Sequence, residues 1–392
     1  MKILFATPRF PYPLRRGHQV RAFHQIRLLS ARHRVTLLSC ASEPPSREAL
    51  ETLGGFCEEI VTVPISRWSA ARHAAAAIFT RFPLQVAAFD ARAIGAAAGA
   101  AARRHRPDLI HVQLARMAAA FEAKTQAPRV IDLVDSLSLN MERRFRRDRS
   151  ALRWAAYFEW KKMARYEREI AREFEHVTVV SPVDRKSIGE FPNLSVNPNG
   201  VDLPDFPFGA ERPSDPTIVF TGNLGYFPNL DAIDWFLRDI LPIVRRRMPE
   251  AIVRIAGARP TRRLRALARR QRVELDEDVA RIGRSFPGAA VAVAPMRAGS
   301  GQLLKILEAM ASGVPVVATS MAASAFAFES GREIFVADGA EDFAAAVIRA
   351  LQDRAGSSAL AREARRVVAE RYTWDRSVEE LERIYRSLTD AP

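Results

Sequence analysis

Residues 299–320 read GSGQLLKILEAMASGVPVVATS. A Gly-Ser-Gly turn leads into a short helical segment that carries Lys305 and Glu308, and a Gly-Val-Pro break at 313–315 separates this segment from an apolar strand. A glycine turn at the start of a helix presents backbone amides at the positive end of the helix dipole, which suits a phosphate group. The stretch therefore predicts a turn and a helix that together bind a phosphorylated ligand.

Lys305 and Glu308 lie three residues apart and so share one face of the predicted helix. A carboxylate at Glu308 can accept hydrogen bonds from the two vicinal hydroxyls of a ribose, and Lys305, one turn earlier, can meet a diphosphate. A solvated Lys–Glu pair on a short helix fits the same spacing, because a glycine turn alone is a weak signal. The spacing leaves both interpretations open.

The rest of the chain alternates apolar strands with amphipathic helices. Predicted strands of the first half include KILFATP, RVTLLSC, PDLIHVQ and PRVIDLVD, and those of the second half include TIVFTG, AIVRIAG and AAVAVAP. Such alternation predicts parallel, doubly wound sheets that are covered on both faces. A stretch rich in Pro, Gly, Asn and Asp near 200–215 predicts a boundary between two domains, 1–205 and 206–372, followed by a final helical segment, 373–392.

The composition indicates a folded protein with anionic partners. The chain has 392 residues, of which 48% are hydrophobic, enough for the cores of two domains. Two cysteines form no disulfide framework, and the N-terminus reads as a buried strand rather than a signal peptide. No window is long and apolar enough for a transmembrane helix, so we expect a cytoplasmic protein. The net charge of +14 favours nucleotides, anionic lipid or nucleic acid.

The stretch 299–320 and eight further blocks of the sequence together resemble the family-four retaining glycosyltransferases, which have the GT-B fold. The stretch 299–320 is similar to their nucleotide-sugar signature. The other blocks follow in the expected order over nearly the whole chain, among them TPRFPYPLRRGHQVRAFHQIRLLSARHRVTLLS, VVSPVDRKSI, NPNGVD, IVFTGNLGYFPNLDAIDWF and YTWDRSVEELERIYRSL. The resemblance implies an α/β chain of two Rossmann-like domains whose parallel sheets face each other across a cleft. The subgroup it most resembles is the exosortase/PEP-CTERM-associated exopolysaccharide sugar transferases of bacteria.

The resemblance implies donor-binding roles for residues of the opening stretch. The family has two glutamates separated by seven residues, of which the second contacts the ribose and here is Glu308. The first contacts the donor sugar, and its position here is Ser300, which departs from the pattern. The backbone of the turn, with Gly299 and the amides of Ser300, Gly301 and Gln302, is left to bind the sugar or the phosphates.

Two further donor-binding positions also depart from the family pattern. The family often places an Arg and a Lys after the FTG strand to hold the diphosphate, whereas this chain has Asn223 and Asn229. We expect Lys305, together with Arg297, to supply the missing positive charge. Gly17 matches the glycine loop of the N-terminal domain, which lies beside the donor phosphates in the family; a plain turn glycine fits the same residue.

The predicted catalytic residues lie at the ends of two strands in the first half. The family often carries His-x-His where this chain has His111, Val112 and Gln113. Gln113 cannot act as a base but can position a hydroxyl, and His111 fits equally well as a core residue. Asp135 follows another strand and can orient or deprotonate an acceptor hydroxyl, although Asp135 or Ser136 can also cap the next helix.

The resemblance implies sugar transfer from a nucleoside-diphosphate sugar, such as a UDP- or GDP-sugar, to a hydroxyl acceptor. It further implies retention of the anomeric configuration, no required cofactor or divalent metal, and a lipid-linked or polysaccharide acceptor at the inner face of the cytoplasmic membrane. Two alternatives stay open. One is a nucleotide-sugar 2-epimerase-like isomerase, and the other is a non-catalytic scaffold that binds nucleotide sugars.

A basic and aromatic segment near 143–174 carries Trp154, Tyr157, Phe158 and Trp160 among many arginines and lysines. It predicts a long helix that packs on the sheet of the first domain. The same composition fits peripheral contact with an anionic membrane, and it fits base stacking less well because no nucleic-acid-binding motif is present. We therefore expect no nucleic-acid partner. The C-terminal segment predicts an amphipathic helix that crosses back to the first domain, as in GT-B enzymes.

Overall fold

The computed structural model describes residues 1–122, 125–209, 213–277, 279 and 282–390. The chain forms two compact units. The N-terminal unit comprises Met1–Pro198 and the residues from Trp374 onward, and the C-terminal unit comprises Asn199–Thr373. The division lies a few residues before the predicted boundary at 205, because Val201 donates a backbone hydrogen bond to Tyr372 O, at 2.9 Å, and so joins the C-terminal unit.

The N-terminal unit is built on a parallel sheet. Within the described residues it has seven strands in the order β3-β2-β1-β4-β5-β6-β7. The central strands β1, β4 and β5 are buried almost throughout, as expected for a parallel sheet that is covered on both faces. The strands are β1 (Lys2–Thr7), β2 (Arg34–Ala41), β3 (Glu59–Pro64), β4 (Leu109–Gln113), β5 (Arg129–Val134), β6 (His176–Val179) and β7 (Leu194–Val196).

Helices connect these strands and cover the sheet. They are α1 (Gly17–Ser30), α2 (Arg47–Gly54), α3 (Arg67–Ala76), α4 (Leu84–Ala87), α5 (Ala91–His105), α6 (Ala115–Ala118), α7 (Leu137–Arg147), α8 (Leu152–Glu173) and α9 (Pro182–Ile188). Ser46, Asp90, Ser136 and Ser181 cap four of the helices by accepting a backbone N–H with the side chain.

The C-terminal unit repeats this architecture with a second parallel sheet. Its six strands within the described residues have the order β10-β9-β8-β11-β12-β13. They are β8 (Thr217–Thr221), β9 (Ile252–Gly257), β10 (Glu274–Glu277), β11 (Val291–Ala294), β12 (Val316–Ala318) and β13 (Phe335–Val336). The helices are α10 (Phe227–Trp235), α11 (Leu241–Arg247), α12 (Arg262–Arg270), α13 (Leu304–Ala311), α14 (Ser320–Ala323), α15 (Ala340–Gln352) and α16 (Arg354–Arg371).

The last helix, α17 (Trp374–Thr389), completes the core of the N-terminal unit. Its buried side chains Val378, Leu381 and Tyr385 pack in one cluster with residues of β1 and α1. Trp374 stacks on His24 of α1, with ring centroids 5.1 Å apart and planes at 6°. The C-terminal residues are therefore an integral part of this unit.

Each sheet has one point where the strand order reverses direction. In the N-terminal unit this point lies between β1 and β4, and in the C-terminal unit it lies between β8 and β11. Ligands of open α/β sheets bind beyond the carboxyl ends of the strands at such a point. The residues after β1, β4, β8 and β11 are therefore where the fold favours a site.

Candidate functional site

Gly222 follows β8 at the reversal point of the C-terminal sheet. Because it has no side chain, it leaves space at the end of this strand. Its φ is 151°, in a region that residues with a side chain rarely adopt. A Cβ atom at this position would lie 2.9 Å from Lys305 Nζ and 3.0 Å from Asn229 Nδ2. The missing side chain therefore lets the Lys305 ammonium approach the end of β8.

Lys305 lies in the first turn of α13 and points toward the end of β8. Its Nζ donates a hydrogen bond to Asn229 Oδ1, at 2.9 Å, and lies 3.8 Å from the ring centroid of Phe220. Burial lowers the pKa of Lys305 from 10.5 to about 7, and the nearby Glu308 partly opposes that shift. The side chain is thus a cation held in a place where its charge is poorly solvated.

The two asparagines that replace the cations of the family pattern shape the turn around Lys305. Asn229 Nδ2 donates to Asn223 O, at 2.9 Å, and Asn223 Oδ1 accepts the Gly225 N–H, at 3.0 Å. The structure brings these two predicted positions together with Lys305. Whether Lys305 replaces their missing charge stays a prediction.

Glu308 lies one turn further along α13 and is half-buried. Burial raises the pKa of its carboxyl from 4.5 to about 7, and Lys305 opposes the shift. Within the described part of the chain, no hydrogen bond or ion pair engages its side chain. A carboxylate that is desolvated and holds no protein partner suits a ligand that brings hydroxyl groups.

The glycine turn before α13 has the conformation that its sequence predicts. Gly299 and Gly301 have φ values of 110° and 72°. The side chain of Gln302 is buried and structural, because Nε2 donates to Ala325 O at 3.0 Å and Oε1 accepts the Asn199 N–H at 2.8 Å. The donor-binding role that the sequence predicts for Gln302 therefore falls to its backbone amide.

Arg297, the second cation expected to assist Lys305, is neutralised within the unit. It forms two hydrogen bonds to the Asp231 carboxylate, at 3.1 and 3.0 Å, and its guanidinium lies 4.6 Å from the Trp235 ring centroid. A paired guanidinium contributes little net charge to a neighbouring site. The expectation that Arg297 supplies charge is therefore not supported by its contacts.

The reversal point of the N-terminal sheet brings Gly17 and Gln113 together. Helix α1 begins at Gly17, and Gln113, the last residue of β4, donates from Nε2 to His18 O at 2.9 Å. Gln113 is fully buried, and its Oε1 has no hydrogen-bond partner among the described residues. The predicted roles of these two residues stay predictions, and the structure shows that they occupy one place in the fold.

His111 is enclosed in the core, which argues against its predicted catalytic role. It is fully buried, stacks on Phe5 with ring centroids 4.2 Å apart, and has Nδ1 2.7 Å from the Tyr385 hydroxyl. Burial lowers its pKa to about 4, so the ring is neutral near pH 7. A side chain packed in this way cannot reach a substrate, and the alternative of a core histidine fits better.

Asp135 follows β5 at the same edge of the sheet, and it is half-buried. The residue that caps helix α7 is Ser136 and not Asp135, because the Ser136 side chain accepts the Leu139 N–H at 3.2 Å. The preceding residue, Val134, has φ 65°, and the pairing of β5 with β6 shifts register there. Positive φ is unusual for a β-branched residue and often marks functional sites. The acceptor-binding role of Asp135 stays a prediction.

Arg21 and Asp132 form a buried ion pair beside the same sheet. Arg21 Nε donates to Asp132 Oδ2 at 2.6 Å, and both side chains are fully buried. The other guanidinium nitrogens of Arg21 donate to Asn197 O and Pro198 O, each at 3.1 Å. Arg21 and Asp132 are therefore engaged with each other and with the backbone inside the N-terminal unit.

His18 is a candidate residue that the sequence reasoning missed. It lies beside Gln113, and its Nε2 is buried with no hydrogen-bond partner in the described residues. Burial and the charges of Arg116, Arg9 and Arg16 lower its pKa to about 3, so the ring is neutral. The sequence signal was its position directly after Gly17.

Neither a metal cluster nor a membrane span is found in the described part of the chain. No group of three or more His, Cys, Asp or Glu side chains there is placed to hold a metal ion. No described helix is long and apolar enough to cross a membrane.

Both halves of the chain match known families of glycosyltransferases. Residues 15–204 match the family described as Glycosyltransferase Family 4, and residues 215–353 match that described as Glycosyl transferases group 1. A curated relative from Klebsiella pneumoniae, the "Uncharacterized 44.6 kDa protein in cps region", is 25% identical over 166 residues. That match covers 40% of this chain and 42% of the length of the relative.

Solved structures share the fold over the whole chain. Sucrose-phosphate synthase from Thermosynechococcus elongatus has a TM-score of 0.75 at 16% identity, and each chain is covered completely. Anabaena Alr3699/HepE in complex with UDP-glucose has a TM-score of 0.71 at 16% identity, covering 99% of this chain and 100% of that one. A point mutant of S. aureus TarM, in complex with fondaparinux, alpha-GlcNAc-glycerol and UDP, has a TM-score of 0.73 at 10% identity, covering 98% and 100%.

Two Rossmann-like units with parallel sheets, and family matches in both, define a glycosyltransferase of the GT-B fold. The chain is therefore a glycosyltransferase that is similar to family 4, in agreement with the resemblance of its sequence.

Proposed function

We propose that the protein transfers a sugar, with retention of configuration, from a nucleoside-diphosphate sugar to a hydroxyl of a lipid-linked or polysaccharide acceptor. The observation that carries this proposal is the group formed by Gly222, Asn229, Lys305 and Glu308 at the reversal point of the C-terminal sheet. It combines a cation for a diphosphate with a carboxylate for a ribose, in the place where such folds bind nucleotides.

The C-terminal unit is assigned to the donor and the N-terminal unit to the acceptor. When the bond between the anomeric carbon and the β-phosphate oxygen breaks, the leaving nucleoside diphosphate gains negative charge. The Lys305 ammonium and the backbone amides of the glycine turn stabilise that charge. In the N-terminal unit, Asp135 orients the acceptor hydroxyl and takes its proton, and Gln113 positions the hydroxyl.

We propose UDP as the nucleotide of the donor and exopolysaccharide synthesis as the process in which the protein acts. The Anabaena HepE structures contain UDP or UDP-glucose, and the Klebsiella relative is encoded in a cps region. The sequence blocks resemble exosortase/PEP-CTERM-associated sugar transferases, which supports the same process. The basic charge of the chain supports a position at the inner face of the cytoplasmic membrane, where a lipid-linked acceptor is found.

The first experiment measures nucleotide binding by calorimetry to wild type, Glu308→Gln and Glu250→Gln. Glu250 is exposed in the same unit and serves as the matched control. UDP or GDP should bind wild type and the control alike. Binding to Glu308→Gln should be about 10- to 100-fold weaker, because an uncharged amide accepts the ribose hydroxyls less strongly. Equal affinity in all three proteins would refute the ribose role of Glu308.

Product analysis with the sugar nucleotide that binds then tests the reaction. Transfer to an added acceptor, or release of free sugar and nucleoside diphosphate in its absence, supports a transferase. An isomerised sugar nucleotide would instead identify the epimerase-like alternative. Binding with neither product would identify a scaffold. Nuclear magnetic resonance gives the anomeric configuration of the product. The reaction is retaining if this configuration equals that of the donor.

A further inference from the structure

The first half of helix α8 exposes large apolar side chains to solvent. Trp154 is 56% exposed, Phe158 is 64% exposed, and Leu152 at the start of the helix is 61% exposed. Ile78, which follows α3, is 57% exposed. Single exposed apolar residues are common, but a group of this kind marks an interaction surface.

Three of these side chains, Ile78, Trp154 and Phe158, lie on one side of α8. Lys162 Nζ donates to Ala77 O and Ile78 O, at 2.8 and 3.1 Å, so Ile78 lies against α8 one turn after Phe158. Trp154 and Phe158 are four residues apart and therefore share a helix face. We call Ile78, Trp154 and Phe158 the apolar patch.

Helix α8 is held mainly by its opposite face, and Trp154 adds a contact with Phe145 of α7, with ring centroids 5.7 Å apart. The opposite face of the helix buries residues that include Ala156, Met163, Tyr166 and Ile170 in the core of the N-terminal unit. Glu159 also accepts the backbone N–H groups of Leu84 and Gln85, at 2.8 and 2.9 Å. The helix is therefore fixed by its inner face, and its outer face remains available for a partner.

Positive charge surrounds the apolar patch. Residues 143–172 contain eleven Arg and Lys and four Asp and Glu, a net charge of +7, which is half of the +14 of the whole chain. Lys161 is exposed on α8 just beyond Phe158, and Arg149 is exposed just before Leu152. Arg165, further along the helix, is paired with Glu169 at 2.8 Å. Cations beside an apolar group on one helix face are typical of a surface that binds anionic lipid.

We propose that the apolar patch and its surrounding cations dock the N-terminal unit on an anionic phospholipid surface. Trp154 and Phe158 enter the interface between headgroups and acyl chains, while Arg149 and Lys161 meet lipid phosphates. Because no described helix is long and apolar enough to cross a bilayer, the protein lies on the surface by this face. This docking requires no sugar transfer and stands independently of the proposed reaction.

Two other occupants fit the surface less well. A second copy in a symmetric dimer would bring the same +7 segment against itself, and the repulsion would oppose association. Nucleic acid would use the aromatic rings and the cations, but it leaves the aliphatic Ile78 without a role. An anionic bilayer uses all three kinds of side chain.

The test is flotation of the full-length protein with vesicles of phosphatidylcholine alone or mixed equally with phosphatidylglycerol. Wild type should bind the mixed vesicles and not the neutral ones. W154A/F158A should lower the apparent affinity at least tenfold, while L50A, at an exposed leucine of α2, should leave it unchanged. Far-ultraviolet circular dichroism and thermal unfolding confirm that each variant is folded.

A charge variant with a matched control separates local docking from general attraction. R149E/K161E should lower the affinity at least about 20-fold, from a loss of about fivefold for each cation removed. R262E/R270E makes the same charge change on exposed residues of α12 and should have little effect. Equal losses in the two charge variants would overturn the proposal, as would unchanged binding of W154A/F158A.

Two further results would assign the surface to another partner and also overturn the proposal. The first is a wild-type dimer, seen by light scattering, that W154A/F158A converts to a monomer. The second is single-stranded RNA that displaces wild type from the vesicles and loses affinity for W154A/F158A. Absence of wild type from the mixed vesicles would overturn it directly.

Discussion

Replacing Lys305 with methionine should weaken nucleotide binding and stabilise the protein without ligand. In the unliganded protein, burial lowers the pKa of Lys305 from 10.5 to about 7. The folded protein therefore binds fewer protons than the unfolded chain between pH 7 and 10.5. Its stability rises with pH across that window, and at or below pH 7 the ammonium destabilises the fold.

The size of the stabilisation follows from the pKa and from one lost hydrogen bond. A change from 10.5 to about 7 corresponds to about 5 kcal/mol, which we halve because the side chain keeps some access to solvent. Methionine also leaves Asn229 Oδ1 without its 2.9 Å donor, which costs about 1 kcal/mol. The net gain at pH 6.5 is about 1–2 kcal/mol, or a rise in Tm of about 2–6 °C.

Nucleotide binding should change in the opposite direction. Loss of a hydrogen bond from an ammonium to a diphosphate costs about 1.5–3 kcal/mol, so the Kd for UDP should rise about 10- to 150-fold. Calorimetry gives the Kd, and scanning fluorimetry gives the Tm of the unliganded protein. Lys186→Met, at an exposed lysine of α9, is the control and should change neither quantity.

A lower Tm with an unchanged Kd would refute this reasoning. It would mean that Lys305 serves the fold through its contacts with Asn229 and Phe220 and does not meet the ligand. A lower Tm together with a higher Kd would show that the destabilising effect of burial is smaller than calculated, while the binding role stands.

Three other outcomes are expected. Above pH 7 the Kd for UDP should rise by up to tenfold per pH unit, because the neutral Lys305 must gain a proton on binding, and Lys305→Met should flatten this profile in calorimetry. Gly222→Ala places a methyl group 2.9 Å from Lys305 Nζ and should raise the Kd at least tenfold, whereas Gly288→Ala, at φ 75° in open space, should only lower the Tm. Tyr385→Phe should lower the free energy of unfolding by about 1–2 kcal/mol in urea titrations, since it removes the 2.7 Å contact with His111, and UDP affinity should not change.

The sequence was sufficient to predict the architecture because the signals for it are local. The apolar runs of β1, β4 and β5 and the glycine turn at 299–301 each lie within a few residues of chain. Parallel strands connected by helices then restrict the topology, because such crossovers are nearly always right-handed. These signals predict two doubly wound α/β domains, whereas the GT-B fold and the glycosyltransferase activity were predicted from the resemblance of the sequence blocks to a known family.

The roles of individual polar residues could not be predicted from local signals. The sequence predicts a strand end at His111, whereas His111 is the middle residue of β4. Its partner Tyr385 comes 274 residues later in the chain. Arg21 is separated from Asp132 by 111 residues, and their ion pair is visible only in the folded unit. The same limit applies to the basic and aromatic segment, where only the structure shows which aromatic residues pack inward.

Two cations of the C-terminal unit show how the structure separates structural from functional charge. Arg297 and Lys305 lie eight residues apart in the stretch after β11, and the sequence suggests both as phosphate ligands. The Arg297 guanidinium is satisfied by the Asp231 carboxylate, so its contacts explain why it is there. Lys305 instead donates to a neutral amide oxygen, and burial lowers its pKa to about 7. A poorly solvated cation of this kind is what the proposed contact between Lys305 and a diphosphate requires.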